Sequence, residues 1–288
     1  MRNVLIFITI LGLSSCNRQS TNTRGYNRTG SNASGCSNSE YLAQAVLWFQ
    51  RSPEMQALYL QSFNFAKEAL EINLSNKRFP GKKNAVVVDI DETILNNGPY
   101  EGWLFINDKT FADSSWNAWI NASEAEPLPG AADFLNYAKK TGCEIFYVSN
   151  RNEETQLEQT IVNLKKSDLP DAEADHILLR TRADTTLNGR STKEKRRRKI
   201  EGEYNCEIML LVGDQLPDFN EAFDLAVDPR EGEIKDSVAK YRDLFSSRYI
   251  ILPNPMYGDW LNAVVRGSDK NDSCRHLSKL RRTKATGW

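Results

Sequence analysis

The sequence predicts an α/β fold: a doubly wound, mostly parallel Rossmann-like sheet carrying an added helical and aromatic layer. Three observations carry this expectation. Ala85-Val86-Val87-Val88 runs without alternation into Asp89-Ile90-Asp91-Glu92-Thr93, and Ile208-Met209-Leu210-Leu211-Val212 runs the same way into Gly213-Asp214. Continuous apolar runs of that length mark strands buried on both faces, the habit of parallel sheets. Between and beyond them, segments of helical spacing alternate with short apolar ones, the pattern of strand–helix–strand units. At 288 residues the chain can bury one full α/β core with a small extra layer.

Taken in order, the chain opens on a processing signal. Arg2 gives a positive start, and Val4 to Leu13 form an apolar segment too short to span a bilayer. Leu13-Ser14-Ser15-Cys16 resembles a bacterial lipobox. That resemblance implies a signal peptide over 1–15, palmitate-type acylation of Cys16 and a lipoprotein tethered outside the cytoplasm. Asn17, in place of an aspartate, points to the outer membrane. An ordinary secretory signal is the alternative. Residues 16–38 are rich in Ser, Asn, Thr and Gly, too poor in apolar surface to offset ordering entropy, and read as a flexible stalk.

The folded domain is expected over 39–265. Tyr41, Leu42, Ala45, Val46 and Phe49 share one helical face; Leu58, Phe63, Ala66 and Leu70 share another after the start signal Ser52-Pro53-Glu54. Phe79-Pro80-Gly81 turns into the first strand. After it, Asn97 to Gly102 reads as a loop opening an aromatic insertion over about 97–128, with Trp103, Phe105, Phe111, Trp116 and Trp119. Clustered aromatics beside a reactive loop can stack flat substrates, although most should pack on the N-terminal helices.

Ala131 to Lys140 is a predicted helix, Cys143 to Arg151 a second strand, Glu153 to Lys166 a helix and Ile177 to Arg180 a third strand. Ser149 falls at a strand's carboxyl end, where its hydroxyl could meet a phosphate oxygen, with Asn150 or Arg151 adding a donor or a charge. The run Lys193 to Lys199 has six basic residues in seven. It reads as a solvated helical face whose first turn could send one lysine to a phosphate. Leu225 to Asp228 reads as a fifth strand, Tyr249 to Leu252 closes the domain, and 266–288 reads as a loose polar, basic tail.

Chemistry concentrates where strands end. Asp89 and Asp91 leave one buried strand together and repel each other, which calls for a divalent cation or a shared proton. Asp214 brings a third carboxylate to the same edge, and Gly213 permits close backbone approach. Formal net charge of -1 gives no pull toward nucleic acid. With two histidines in the chain, histidine-dependent hydrolysis has poor support.

Asp89-Ile90-Asp91-Glu92-Thr93, Ser149, Lys193 and Gly213-Asp214-x-x-x-Asp218 resemble, in order, the four motifs of the haloacid-dehalogenase phosphatase superfamily. Asp-Glu-Thr-Ile-Leu-Asn-Asn-Gly-Pro-Tyr from Asp91, Tyr-Val-Ser-Asn-Arg at 147–151 and Leu-Pro-Asn-Pro-Met-Tyr-Gly-Asp-Trp at 252–260 resemble more narrowly its class C acid phosphatases, the lipoprotein 5'-nucleotidase group. The resemblance covers roughly 39–262 and the lipobox.

It implies a Mg²⁺-dependent hydrolase of small phosphomonoesters, nucleotides above all. Asp89 is then the nucleophile and Asp91 the general acid and base. Asp89 and Asp214, with the Asp91 backbone carbonyl, hold the metal. Ser149, Asn150 and Lys193 contact phosphate, and Asp218 orients water or Lys193. Phe111 and Tyr257 sandwich the leaving group's ring. Dehalogenase-type members have no second aspartate, so Asp91 favours phosphatase chemistry. Two rival readings stay open: a non-catalytic ligand-binding lipoprotein, and a phosphatase for sugar phosphates or phosphotyrosine. The family's strand order separates Cys143 from Cys206 by the central strand, beyond the ~7 Å reach of a disulfide, so both are expected reduced. A Cys36–Cys274 bridge stays open.

Overall fold

The computed structural model describes residues 37–184, 192–223, 231–264 and 274–285. The lipobox, the stalk as far as Cys36 and the strand expected at Leu225 to Asp228 lie outside the described residues. Helices α1 (Ala43–Arg51) and α2 (Pro53–Ser75) meet at Ser52. Its hydroxyl accepts from the N–H groups of Glu54 and Met55, and Pro53 sits where a helix has no N–H to lose. Tyr59, Phe63, Ala66 and Leu70 bury one face of α2.

Strand β1 (Lys83–Val88) is central. A two-stranded antiparallel ribbon, β2 (Leu95–Asn96) and β3 (Glu126–Pro127), brackets helices α3 (Gly98–Ile106) and α4 (Asp113–Ala122). The segment from Asn97 to Gly102, read as a loop, is therefore mostly helix. Pro99 and Gly98 fall in its first turn, where a missing N–H and a small side chain cost little. Then follow α5 (Ala131–Lys140), β4 (Cys143–Asn152), α6 (Glu153–Lys166), β5 (Ile177–Arg180), α7 (Glu194–Gly202), β6 (Cys206–Gly213), α8 (Glu231–Lys240), β7 (Tyr249–Ile251), α9 (Asp259–Val264) and α10 (Cys274–Lys284).

The main sheet is parallel throughout, in the order β5-β4-β1-β6-β7. Chain order reverses across β1, which opens a crevice beyond the carboxyl ends of β4, β1 and β6. Register delivers the site: Val88 lies opposite Tyr147 on one side and Val212 on the other. One residue beyond Val88 is Asp89, and two beyond its partners are Ser149 and Asp214. Alternation along β1 sends Val86 and Val88 to a core shared with α2 and α5, and Ala85 and Val87 to a second core shared with Ile200 of α7. Both faces are covered, which makes the sheet doubly wound.

Cys143 and Cys206, on the strands flanking β1, are buried free thiols, as expected. The basic run is corrected in part. Arg196 and Arg197 are buried, their guanidinium groups donating to the backbone carbonyls of Ser149 and Asp218. The loose tail is corrected too: 274–284 form α10, where the Arg281 guanidinium lies 3.9 Å from the Tyr41 ring centroid. Cys274 is disulfide-bonded, and Cys36 lies outside the described residues. No helix among the described residues is long and apolar enough to cross a membrane.

Candidate active site

Asp89 follows β1 directly, its N–H donating to the Val212 carbonyl at 2.9 Å, so sheet pairing fixes it to the last residue. One carboxylate oxygen from each of Asp89, Asp214 and Asp218 lies within 4.8 Å of the others, and all three residues are buried. Lys193, just ahead of α7, reaches into this cluster and pairs with Asp89 and, at 2.6 Å, with Asp218. Burial works against the lysine's charge, but Asp218 and Asp89 outweigh it and hold its pKa above the usual value. Burial also drives the Asp89 carboxyl well upward, with Lys193 opposing and the neighbouring carboxylates adding to it. Asp214 is pushed up to about 7 by burial and then by Asp218. One lysine cannot neutralise three buried carboxylates.

Asp91 points elsewhere. Arg151 grips it with one edge of the guanidinium, Nη2 at 2.7 Å and Nε at 3.1 Å from Oδ1, while Nη1 donates to Thr160 Oγ1 at 3.1 Å. Asn97 Nδ2 donates to it at 2.9 Å and Ser149 Oγ at 3.3 Å. Arg151, offered beside Asn150 as a donor or charge for phosphate, holds Asp91 here. Asn150 lines the cavity while its Oδ1 accepts from Arg196 at 2.8 Å. Arg196 also holds the Ser149 carbonyl, and Arg197 holds those of Pro217 and Asp218. Helix α7 thus braces both polar loops of the site, a role hidden inside a charge run.

Residues the sequence reading left unassigned form the supporting layer. Glu92 is fully buried at φ 54, a left-handed conformation that costs a non-glycine residue energy. Its carboxyl accepts from the Asn97 N–H at 2.7 Å and from the Tyr257 hydroxyl, while its carbonyl accepts from Tyr59 at 2.5 Å. Burial, then Asp91, raises its pKa to about 8. Gln215 and Asn254 both donate to Asp214 Oδ2, at 2.9 and 2.8 Å. A Cβ on Gly213 would lie 2.2 Å from Asp218 Oδ2, so glycine is needed there for Asp218 to turn back on Lys193. Asn97 and Asn254 sit in the quoted motifs; their positions carried the signal, but polarity alone did not name their partners.

A cavity of about 530 Å³ opens over these groups. Phe111, 59% exposed, and Tyr257 both line it. Tyr257 is anchored through its hydroxyl to Glu92, and Phe111 leans on Trp116 with ring centroids 6.2 Å apart. The parallel sheet, the strand-end aspartates and the buried lysine define a fold and site of the haloacid-dehalogenase type.

Comparison with known proteins makes this specific. The model of the HAD superfamily, subfamily IIIB (Acid phosphatase), matches residues 8–260, and the chain belongs to that family. Its structure is similar to the class C acid phosphatase from Bacillus anthracis, with a TM-score of 0.78 and 35% identity, covering 87% of this chain and 99% of that one. The tungstate-bound form of that enzyme gives a TM-score of 0.77 at 35% identity, covering 86% and 98%. A stem 28 kDa glycoprotein of Glycine max is 29% identical over 177 residues, 61% of this chain; the chain spans 60% of that relative's length.

The family implies a metal, and the donors present fit one. Asp89, Asp214 and Asp218 offer a hard, all-oxygen set whose negative charge exceeds that of the one lysine among them.

Proposed function

We propose that the protein hydrolyses small phosphomonoesters, nucleotides by preference, by way of a phosphoryl group carried on Asp89. The observation that carries this is Lys193 seated between Asp89 and Asp218, inside a carboxylate cluster that opens on a ring-lined cavity. An Asp89 oxygen attacks phosphorus and displaces an alkoxide, which takes its proton from Asp91. Asp91 then accepts a proton from the water that attacks the aspartyl-phosphate. Paired hydrogen bonds from Arg151 and one from the Asn97 amide keep Asp91 in one orientation for both steps. Lys193 offsets charge on the transferring phosphoryl group, Asp218 holds Lys193, and Ser149 and Asn150 offer donors at the rim. Asp89, Asp214 and the Asp91 carbonyl would hold Mg²⁺, whose chemistry when bound is to polarise a phosphoryl oxygen. That the Bacillus anthracis enzyme binds tungstate supports an oxyanion as ligand.

The nucleotide preference rests on the aromatic lining, Phe111 and Tyr257 among it, which suits a flat leaving group. Export and lipid anchoring to an outer membrane through Cys16 are part of the proposal and rest on the lipobox alone.

Phosphate release from a nucleoside monophosphate and an aryl phosphate, with Mg²⁺ and with chelator, tests the reading. Asp89→Asn should abolish Mg²⁺-dependent release from both while leaving the fold intact. Folded, metal-loaded wild type with no turnover on either would sink the enzyme reading and favour a binding lipoprotein.

A further inference from the structure

The cavity is also lined by carboxyls that phosphoryl transfer does not use, Glu101 among them. Glu101 lies on α3, one helical turn past Asn97, and its side chain lines the same cavity as Asp89 and Asp91. It is 6% exposed, and it is not part of the aspartate cluster. Among the described residues no backbone or side-chain group hydrogen-bonds its carboxyl, and no cation pairs with it. Tyr41, Leu104, Phe111 and Trp116 line the same cavity. Burial alone pushes its pKa up to about 7. Its carboxyl faces the cavity without a protein partner, and a polar group so placed in a largely apolar wall is satisfied by whatever enters, water or a ligand.

The geometry points to Glu101 as a specificity-determining residue: its carboxyl accepts a hydrogen bond from an N–H on the edge of a flat ring held in the aromatic part of the cavity. This rests on the nucleotide reading above and goes beyond it, since stacking on aromatic rings accepts any flat group whereas an unpartnered carboxyl discriminates. Ionised or protonated, the carboxyl keeps an acceptor oxygen, so the requirement for an N–H holds in both states. The ligand class is a phosphomonoester whose leaving group is a nitrogen heterocycle with an amino or amide N–H on its outer edge. A ring of equal size without that group leaves Glu101 buried and unpaired, which is the strongest basis for rejection available to a binding site.

The test compares adenosine 5'-monophosphate with purine riboside 5'-monophosphate, which differs only in lacking the exocyclic amino group, and adds an aryl phosphate as a third substrate. Full-length wild type should favour the amino-bearing nucleotide by roughly tenfold to hundredfold in kcat/KM, mostly through KM. Glu101→Leu should bring that ratio close to one, and Glu101→Gln, nearly isosteric and still an acceptor, should keep part of it. Equal kcat/KM for the two nucleotides in wild type overturns the inference while leaving the nucleotide reading intact. So does a Glu101→Leu protein that loses activity on both by the same factor, which is the mark of a structural role. Hydrolysis of the aryl phosphate with neither nucleotide accepted removes the nucleotide reading, and the assignment of Glu101 with it.

Discussion

Replacing Glu101 by Gln should make the protein more stable, and only above acid pH. In the fold, burial raises this carboxyl from 4.5 to about 7, with no partner to oppose the rise. The folded state therefore holds the proton more tightly than the unfolded chain. Its contribution to stability is fully present below about pH 4.5 and is lost as pH climbs through 7. The span from 4.5 to about 7 is worth about 3 kcal/mol, an upper figure because water in the open cavity softens the burial. Gln carries no such proton. Urea denaturation followed by tryptophan fluorescence at pH 4, 6 and 8 should give near-equal stabilities for wild type and Glu101→Gln at pH 4. The variant should lead increasingly toward pH 8, by up to about 3 kcal/mol. Asp89, Glu92 and Asp214 titrate in both proteins and largely drop out of the difference. A gap that stays the same from pH 4 to pH 8 would refute the claim that Glu101 is buried without a partner. A carboxyl that lowers stability at neutral pH and touches no protein partner is better explained by a ligand than by folding.

Other perturbations read the phosphate side of the cavity. Lys193→Met strips the cation from two buried carboxylates, so turnover should fall at least a hundredfold. The same change should lower stability at neutral pH by about 3 kcal/mol or more in denaturation experiments. Gly213→Ala forces a Cβ onto Asp218, and a loss of about 1–3 kcal/mol should come with reduced kcat as Lys193 loses its brace. Mg²⁺ should raise the melting temperature of wild type in calorimetry, reversibly by chelator, and the gain should be much smaller in Asp214→Asn.

Much of this protein is determined by local sequence. Apolar runs without alternation specify strands buried on both faces, and the residues that break them, Asp89, Ser149 and Asp214, mark the carboxyl ends where a parallel sheet gathers its chemistry. Ser52-Pro53-Glu54 likewise starts α2 by its own hydrogen bonds. Such features are legible because their causes lie within a few residues along the chain. Partner choice across the sheet is of another kind. Arg151 grips Asp91 across 60 positions, Arg196 and Arg197 brace loops belonging to two different strands, and Tyr257 reaches back to Glu92. In sequence Arg196 and Arg197 read as solvated charge, because composition records how polar a side chain is and not whether packing leaves it water. Glu101 shows the same limit most plainly. In sequence it falls in a stretch that reads as a loop, and only the folding of that stretch as α3 buries its carboxyl in the cavity wall without a protein partner. The chain dictates where its strands and helices begin and end; which charges lose their water is a long-range outcome that tertiary packing decides.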